Sequence, residues 1–411
     1  MEFAISIIGL IILLGFFGNV LFQKTGIPNT LWLLLFGMML GFFNVVHKDF
    51  LSSAAGLIGA IAIIGILSDG GLHMDLRHVI REGFLGTLLM IVGLVFTVLG
   101  ISILLSFFSF PLYFSILVAI TLAGTSASVV IPTINSLSFV SEKLKTLLSI
   151  ESISDTFSVV LALFIINFLK TQSVELGSVG ILTQGVALEF LSAVSIGIIF
   201  GLLWGPFIGK LKKFDYSYAA TLGALVLLFA LSEVLGSSGA IAVFTAGVML
   251  ANAHILYKAL FPEFKFDRLD EDISRTHELF AFLIRVFFFV FLGMVVGIPD
   301  ASFFVIGFLI VLTIIGVRFI YVNAFIHFKL FSLTKKEKTL TYWMAPRGLS
   351  AAVLAIFVFS SGIPFGREMV EIVFSVIIIS VVFSTIATFM LRDKNTLKET
   401  EKKDASVQST L

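Results

Sequence analysis

Cysteine is absent from the chain, which excludes a disulfide framework, thiol catalysis and thiolate metal sites. Charge is scarce: Asp, Glu, Lys and Arg make up 13% of the 411 residues, about half the share of an ordinary soluble domain. The net charge of +1 and the scatter of basic residues through loops offer no face for nucleic acid. No cleavable signal is expected. The first apolar run, 3–22, has neither a basic start nor a small-residue cleavage site, and reads as a retained span. The six histidines fall at or near predicted loops without metal-ligand spacing, so no metal cofactor is expected. Four of them, His73, His78, His254 and His277, lie on the predicted inner side and are candidates for pH sensing. No polar stretch is long enough for a soluble domain. Residues 392–411 read as a short disordered cytoplasmic tail, and no nucleotide-binding regulatory module is expected.

What the chain does have is apolar length. Hydrophobic residues make up 58%, and runs of about twenty recur from end to end. Spans are predicted near 3–22, 28–46, 54–73, 84–107, 111–137, 146–169, 185–208, 216–235, 238–256, 277–298, 301–327, 338–361 and 367–391. The fold class is therefore an all-α polytopic membrane protein with about thirteen transmembrane helices in one domain, 1–391. An odd count puts the termini on opposite sides. With the N-terminus outside, inner loops hold 21 Lys and Arg and outer loops 3, which makes the C-terminus cytoplasmic.

Two spans read as broken. Span five carries Gly124-Thr-Ser-Ala-Ser128 and then Pro132; span twelve carries Pro346-Arg-Gly348. Proline removes a backbone donor and clashes with the preceding turn, so both helices are expected to open there. A kinked helix with its hydroxyls bonded back to the backbone is the plainer reading of either alone. With span seven (185–208) as a linker, 1–170 and 216–391 form two six-span halves of opposite orientation. The broken helix is then the fifth in each half. Matching interruptions in inverted repeats point to a transporter site where the broken helices cross at the midplane.

Charged groups inside the spans converge on the same region. Glu151 and Asp155 stand four apart in span six, which predicts one shared helix face flanked by Ser152. Asp69 lies late in span three, Arg285 in span ten and Arg347 in the broken span twelve. Ionisable groups at such depth are costly and are most often functional, although structural ion pairs are the competing account. Arginine stays charged and needs a partner, so Glu151, Arg285 and Arg347 read as structural charges of the core. Arg318, nearer a span end, is expected to snorkel to the headgroups. Counting two arginines against three acids leaves Asp155 without a dedicated partner, among Ser152, Ser154, Thr156 and Ser158. A free carboxylate among hydroxyl oxygens suits a small hard cation or a proton. The only metal expected is therefore a monovalent cation at Asp155.

At these residues the chain resembles the monovalent cation:proton antiporter family, on the electroneutral sodium/proton exchanger branch. The matching stretches are Leu67-Ser-Asp-Gly-Gly-Leu72, Gly124-Thr-Ser-Ala-Ser-Val-Val130, Glu151-Ser-Ile-Ser-Asp155, Gly239–Gly247, Ile284–Gly293 and Pro346-Arg-Gly-Leu349. The resemblance implies a core domain moving against a dimerisation domain, and a homodimer in the lipid bilayer. It implies that Asp155 holds a cation and a proton in turn, with Asp69, Thr125, Ser126 and Ser152 lining the site. Ser154 stands where the family commonly carries asparagine or a second aspartate. The resemblance further implies that Arg347 pairs with Glu151 and that Arg285 stabilises the core. Ser126 stands where the exchangers commonly carry an acid, so Na+ and K+ both remain candidates.

The expected activity is electroneutral exchange of Na+ or K+ for H+ by alternating access, for pH and cation homeostasis, without an enzyme's chemistry. A cation channel without proton coupling shares the buried acids. An intramembrane aspartyl protease using Asp69 and Asp155 lacks the Gly-x-Gly-Asp and Tyr-Asp settings of that class.

Overall fold

The computed structural model describes residues 2–46, 48–72, 84–171, 179–211, 217–253, 255, 271–297 and 299–391. Among these, regular structure is helical. The first half holds α1 (Glu2–Thr25), α2 (Asn29–Phe42), α3 (Lys48–Leu72), α4 (Phe84–Ser106), α5 (Leu112–Thr121), α6 (Ala127–Asn135), α7 (Glu142–Glu151) and α8 (Ser154–Thr171). After α9 (Val179–Leu211), the second half holds α10 (Ser217–Val234), α11 (Gly239–Ala251), α12 (Glu271–Val296), α13 (Ala301–His327), α14 (Lys335–Trp343), α15 (Leu349–Ser360) and α16 (Gly366–Leu391). Each predicted span coincides with one helix or an end-to-end pair. Seven helical stretches are long and apolar enough to cross a membrane, and the other apolar helices run to 10–17 residues. The tail at 392–411 and the histidines His73, His78 and His254 lie outside the described residues.

Lipid tails are as apolar as leucine, so helices in a bilayer associate where small residues let backbones touch. α2 crosses α12 at Gly37 and Gly293, where a Cβ on Gly37 would lie 2.9 Å from the Gly293 Cα. α3 crosses α11 at Gly71 and Gly247, where a Cβ on Gly71 would lie 3.0 Å from the Gly247 Cα. Exchanging each span of the first half for its counterpart in the second swaps these two crossings. The helix ends repeat as well. Gly26 (φ 73°) and Gly236 (φ 71°) follow α1 and α10, each three residues before the next helix begins. Gly37 and Gly247 then come at equal spacing from them. Outside this core, α1, α4, α9, α10 and α13 present large apolar side chains outward, as lipid-facing helices do.

One carboxylate ties two helix starts together. Ser141 and Thr334 are the N-caps of α7 and α14. Glu337 Oε1 accepts from the Ser141 backbone N (3.0 Å) and hydroxyl (2.6 Å). Its Oε2 accepts from the Thr334 N (2.9 Å) and hydroxyl (2.9 Å), completing a capping box. Glu337 is 4% exposed and sits at the loop end of its span. Burial alone raises its carboxyl, but the hydrogen bonds from Ser141 and Thr334 outweigh that and hold it below the ordinary 4.5.

Because that native value is depressed, the stabilisation is fully present above the unfolded value and is lost as pH falls through the native one. Glu337→Gln turns an amide NH2 towards groups that are themselves donors, and should cost about 1–2 kcal/mol at neutral pH. Thermal unfolding in detergent should show the wild type more stable than E337Q at pH 7, with the gap closing below pH 4.5. Equal melting temperatures at pH 7 would exclude the clamp.

Candidate functional site

The two broken spans meet at their breaks. Residues 122–126 are unwound between α5 and α6, and residues 344–348 are irregular between α14 and α15. Ser126 N donates to the Pro346 carbonyl (2.9 Å), joining the two openings. A Cβ on Gly348 would run into the Ser126 side chain, and one on Gly124 would lie 2.5 Å from the Asp155 Cα. Glycine at both positions lets three backbones converge. The opening in span five is not at its proline. Pro132 lies inside α6, and the chain unwinds upstream, at the glycine and hydroxyl residues that pack on Asp155.

Breaking a helix in lipid exposes the carbonyls of its first half. Each set receives a guanidinium. Arg347 Nη1 donates to the carbonyls of Ala123 (3.0 Å) and Gly124 and to Thr125 Oγ1 (3.1 Å), just past α5. Its backbone N donates to Ser380 Oγ at 3.0 Å. Arg318 Nε donates to the Thr341 carbonyl (2.5 Å) in the last turn of α14. Positive charge at the C-terminal end of a helix is the favourable arrangement.

Arg318 also forks Glu151, its Nη1 on Oε1 and its Nη2 on Oε2 at 2.7 Å. The Tyr321 hydroxyl donates to Glu151 Oε1 (3.1 Å) and accepts from Arg318 Nη1 (2.8 Å). All three side chains are buried. Two expectations are corrected here. Arg347 does not pair with Glu151, because the unwound carbonyls beside it take its guanidinium. Arg318 does not snorkel, because α13 turns Arg318 and Tyr321, three apart on one face, into the core. The in-span count is therefore three arginines against three acids, and the counting that left Asp155 over does not hold.

The shared face of Glu151 and Asp155 is also corrected. α7 ends at Glu151 and α8 begins at Ser154. The join is a tight 3₁₀ turn, with Asp155 N on the Ser152 carbonyl (3.2 Å) and Thr156 N on that of Ile153 (3.1 Å). The two acids point into different spaces. Glu151, with Thr125, Ser154, Arg318, Tyr321 and Arg347, borders a space of about 10 Å³, room for about one water. Asp155 lines a cavity of about 610 Å³ together with Asp69, Ser128, Ser152, Thr156, Arg285 and Ser350.

Within that cavity Ser350 Oγ donates to Asp155 Oδ1. Among the described residues, Asp155 is in no salt bridge. Asp69 and Arg285 are near enough for their charges to interact. Ser152 Oγ donates to the Leu148 carbonyl (2.8 Å), and Ser154 Oγ accepts from Thr125 N (3.1 Å), tying α8 to the unwound segment. Ser126 is buried and its hydroxyl shares a hydrogen bond with Ser128 Oγ (3.1 Å). Of the predicted site residues, Asp69, Ser152 and Asp155 thus share the large cavity. Thr125 and Ser154 face the small one, and Ser126 lines neither, buried where the two breaks meet. Sequence reasoning missed Ser350, Arg318 and Tyr321. Arg318 with Tyr321 had a legible signal, two polar groups at i and i+3 within one span; Ser350 had only its nearness to a break.

The sequence profile described as sodium/hydrogen exchanger, transmembrane, matches residues 9–393. The low-affinity Na+/H+ antiporter NhaS1 of Synechocystis is 26% identical over 382 residues, 89% of this chain and 69% of that protein. The probable Na+/H+ antiporter 2 of Methanocaldococcus jannaschii is 27% identical over 297 residues, 67% of this chain and 65% of that protein. The K+/H+ antiporter NhaP of Alkalimonas amylolytica is 25% identical over 397 residues, 93% of this chain and 65% of that protein. The chain thus spans about two thirds of the length of these relatives. The solved structure of the sodium proton antiporter MjNhaP1 from Methanocaldococcus jannaschii at pH 8 superposes with a TM-score of 0.73 at 22% identity, covering 94% of this chain and 97% of that one. That likeness establishes the fold.

The Arg318–Glu151 contact generates its own test. Arg318→Ala leaves a buried carboxylate unpaired and should cost about 3–5 kcal/mol, whereas replacing both partners by methionine should recover most of it. Melting temperatures of R318A, R318M, E151M and the double variant R318M/E151M in detergent measure the coupling. Additive losses would show that the two side chains do not interact.

Proposed function

The chain belongs to the transmembrane sodium/hydrogen exchanger family, and from that premise we propose that it exchanges Na+ or K+ for H+, with Asp155 as the group the two ions occupy in turn. One observation carries the reading. Asp155 is a carboxylate on the wall of a large cavity, bonded to a hydroxyl rather than to an arginine. Its neighbours Glu151 and Arg318 satisfy one another, and Arg347 is taken up by carbonyls. A carboxylate left in that state attracts a cation, and burial disfavours its bare charge, so a proton and a metal ion compete for it. The hydroxyl oxygens of Ser152, Thr156 and Ser350 beside it suit a hard monovalent ion.

With a single acid bonded in this way, each half-cycle carries one cation or one proton, and exchange is electroneutral. Both ions enter the proposal, since Ser126 brings no second charge and the relatives include named Na+/H+ and K+/H+ antiporters. The chain works as a multi-pass membrane protein without a cofactor, in a homodimer, with its N-terminus outside and its C-terminus in the cytoplasm. The loop charge asymmetry supports that orientation. Asp69 and Arg285 line the ion's path, while Glu151, Arg318 and Arg347 hold the crossing in shape.

Asp155→Asn removes the titrating group but keeps its size. It should abolish cation-driven collapse of a pH gradient in everted vesicles while the protein still inserts and purifies normally; retained exchange would remove Asp155 from the mechanism. In proteoliposomes, a membrane potential imposed without ion gradients should drive no proton flux. Sustained potential-driven flux would overturn the one-for-one stoichiometry.

A further inference from the structure

We infer that Ser350 is a cation ligand and a determinant of cation selectivity at the Asp155 site, an inference that rests on the antiport reading above. Several buried hydroxyls of the second half turn back on their own helix. Ser375, Ser384 and Thr385 each donate to the carbonyl four residues earlier. Ser350 does not. The carbonyl four residues before it, on Pro346, accepts from Ser126 N, and the Ser350 hydroxyl reaches across to Asp155 on another span. α15 begins next to Gly348, which has no side chain with which to cap it, so Ser350 in its first turn is the first hydroxyl that this half-helix offers to the cavity.

A hydroxyl has one proton to donate and two lone pairs to offer. The proton is directed at Asp155 Oδ1, and no described group donates to Ser350 Oγ. An oxygen with both lone pairs available therefore stands beside the carboxylate on the cavity wall. With the carboxylate bare, the hydroxyl satisfies it as a donor. Once a cation sits on Asp155, that donation is no longer needed, the hydroxyl hydrogen swings away and the oxygen turns a lone pair to the ion. With a proton on Asp155 the same oxygen accepts it. Ser350 can therefore complement all three states of Asp155 by rotation about one bond. Alkali cations of different size are distinguished by the number and distance of such neutral oxygens, so the hydroxyl bears on selectivity as well as affinity.

The test uses the full-length protein in everted vesicles, with Na+, K+ and Li+ titrated separately against a fixed pH gradient. Ser350→Ala should raise the half-saturating concentration of the preferred cation about tenfold, and change the ratio among the three ions, with maximal rate altered by less than about threefold. Ser350→Thr and Ser350→Val have the same shape and differ in the hydroxyl. Threonine should restore affinity and valine should not, which keeps the test decisive if alanine disturbs the fold. Unchanged half-saturation for all three ions in S350A would overturn the inference. So would a loss of rate at unchanged half-saturation that threonine and valine share, because that pattern marks a structural role. A wild-type protein that collapses the gradient with none of the three ions would instead remove the antiport reading itself, and this inference with it.

Discussion

A helix interrupted inside a bilayer must find partners for the carbonyls it exposes, and the core of this protein is organised around meeting that demand twice. Arg347 takes the open end of α5 and Arg318 takes that of α14. Both guanidiniums would be untenable in hydrocarbon without acceptors, and both openings would be untenable without donors. Each makes the other possible. The crossing then fixes where Ser126, Gly348 and the turn before Asp155 must lie, since those three segments touch.

Charge is distributed by the same geometry. The C-terminal ends of the broken helices collect the arginines, and the N-terminal starts of α8 and α15 collect Asp155 and the hydroxyl that bonds it. A carboxylate among helix starts meets the positive ends of their dipoles, yet among the described residues it has no side-chain cation of its own. Glu151, four residues away, is locked into a fork with Arg318. The 3₁₀ turn between the two acids separates these fates by pointing them into different spaces.

Much of this was legible in the sequence, for identifiable reasons. Long apolar runs mark spans whatever their partners, and the helices lie where those runs were placed. Glycine and hydroxyl residues in span five and proline with glycine in span twelve marked both breaks, although Pro132 pointed to the wrong place for the first. Asp155 was visible as an acid within an apolar run. Pairings were not legible, because they depend on which side chain a crossing brings near. Arg347 lost Glu151 to Arg318 once the unwound carbonyls stood closer to it, and nothing in linear spacing conveys that. The shared helix face failed for a similar reason, since a tight turn of two residues leaves no mark on hydropathy. Ser350 looks like any small residue of a buried helix until its neighbour across the crossing is known.

The Glu337 clamp bears on motion. By capping α7 and α14 together it fastens the entry of the span that carries Asp155 to the entry of the span that leads on to Ser350. Ser126 N on Pro346 O fastens the break of that second span to the break of span five at the crossing. Span twelve cannot slide past either neighbour without breaking one of these seams. On the proposed antiport reading, Asp155 and Ser350 therefore move with the broken spans as a single carriage, while Asp69 and Arg285 on the facing wall are held by neither seam.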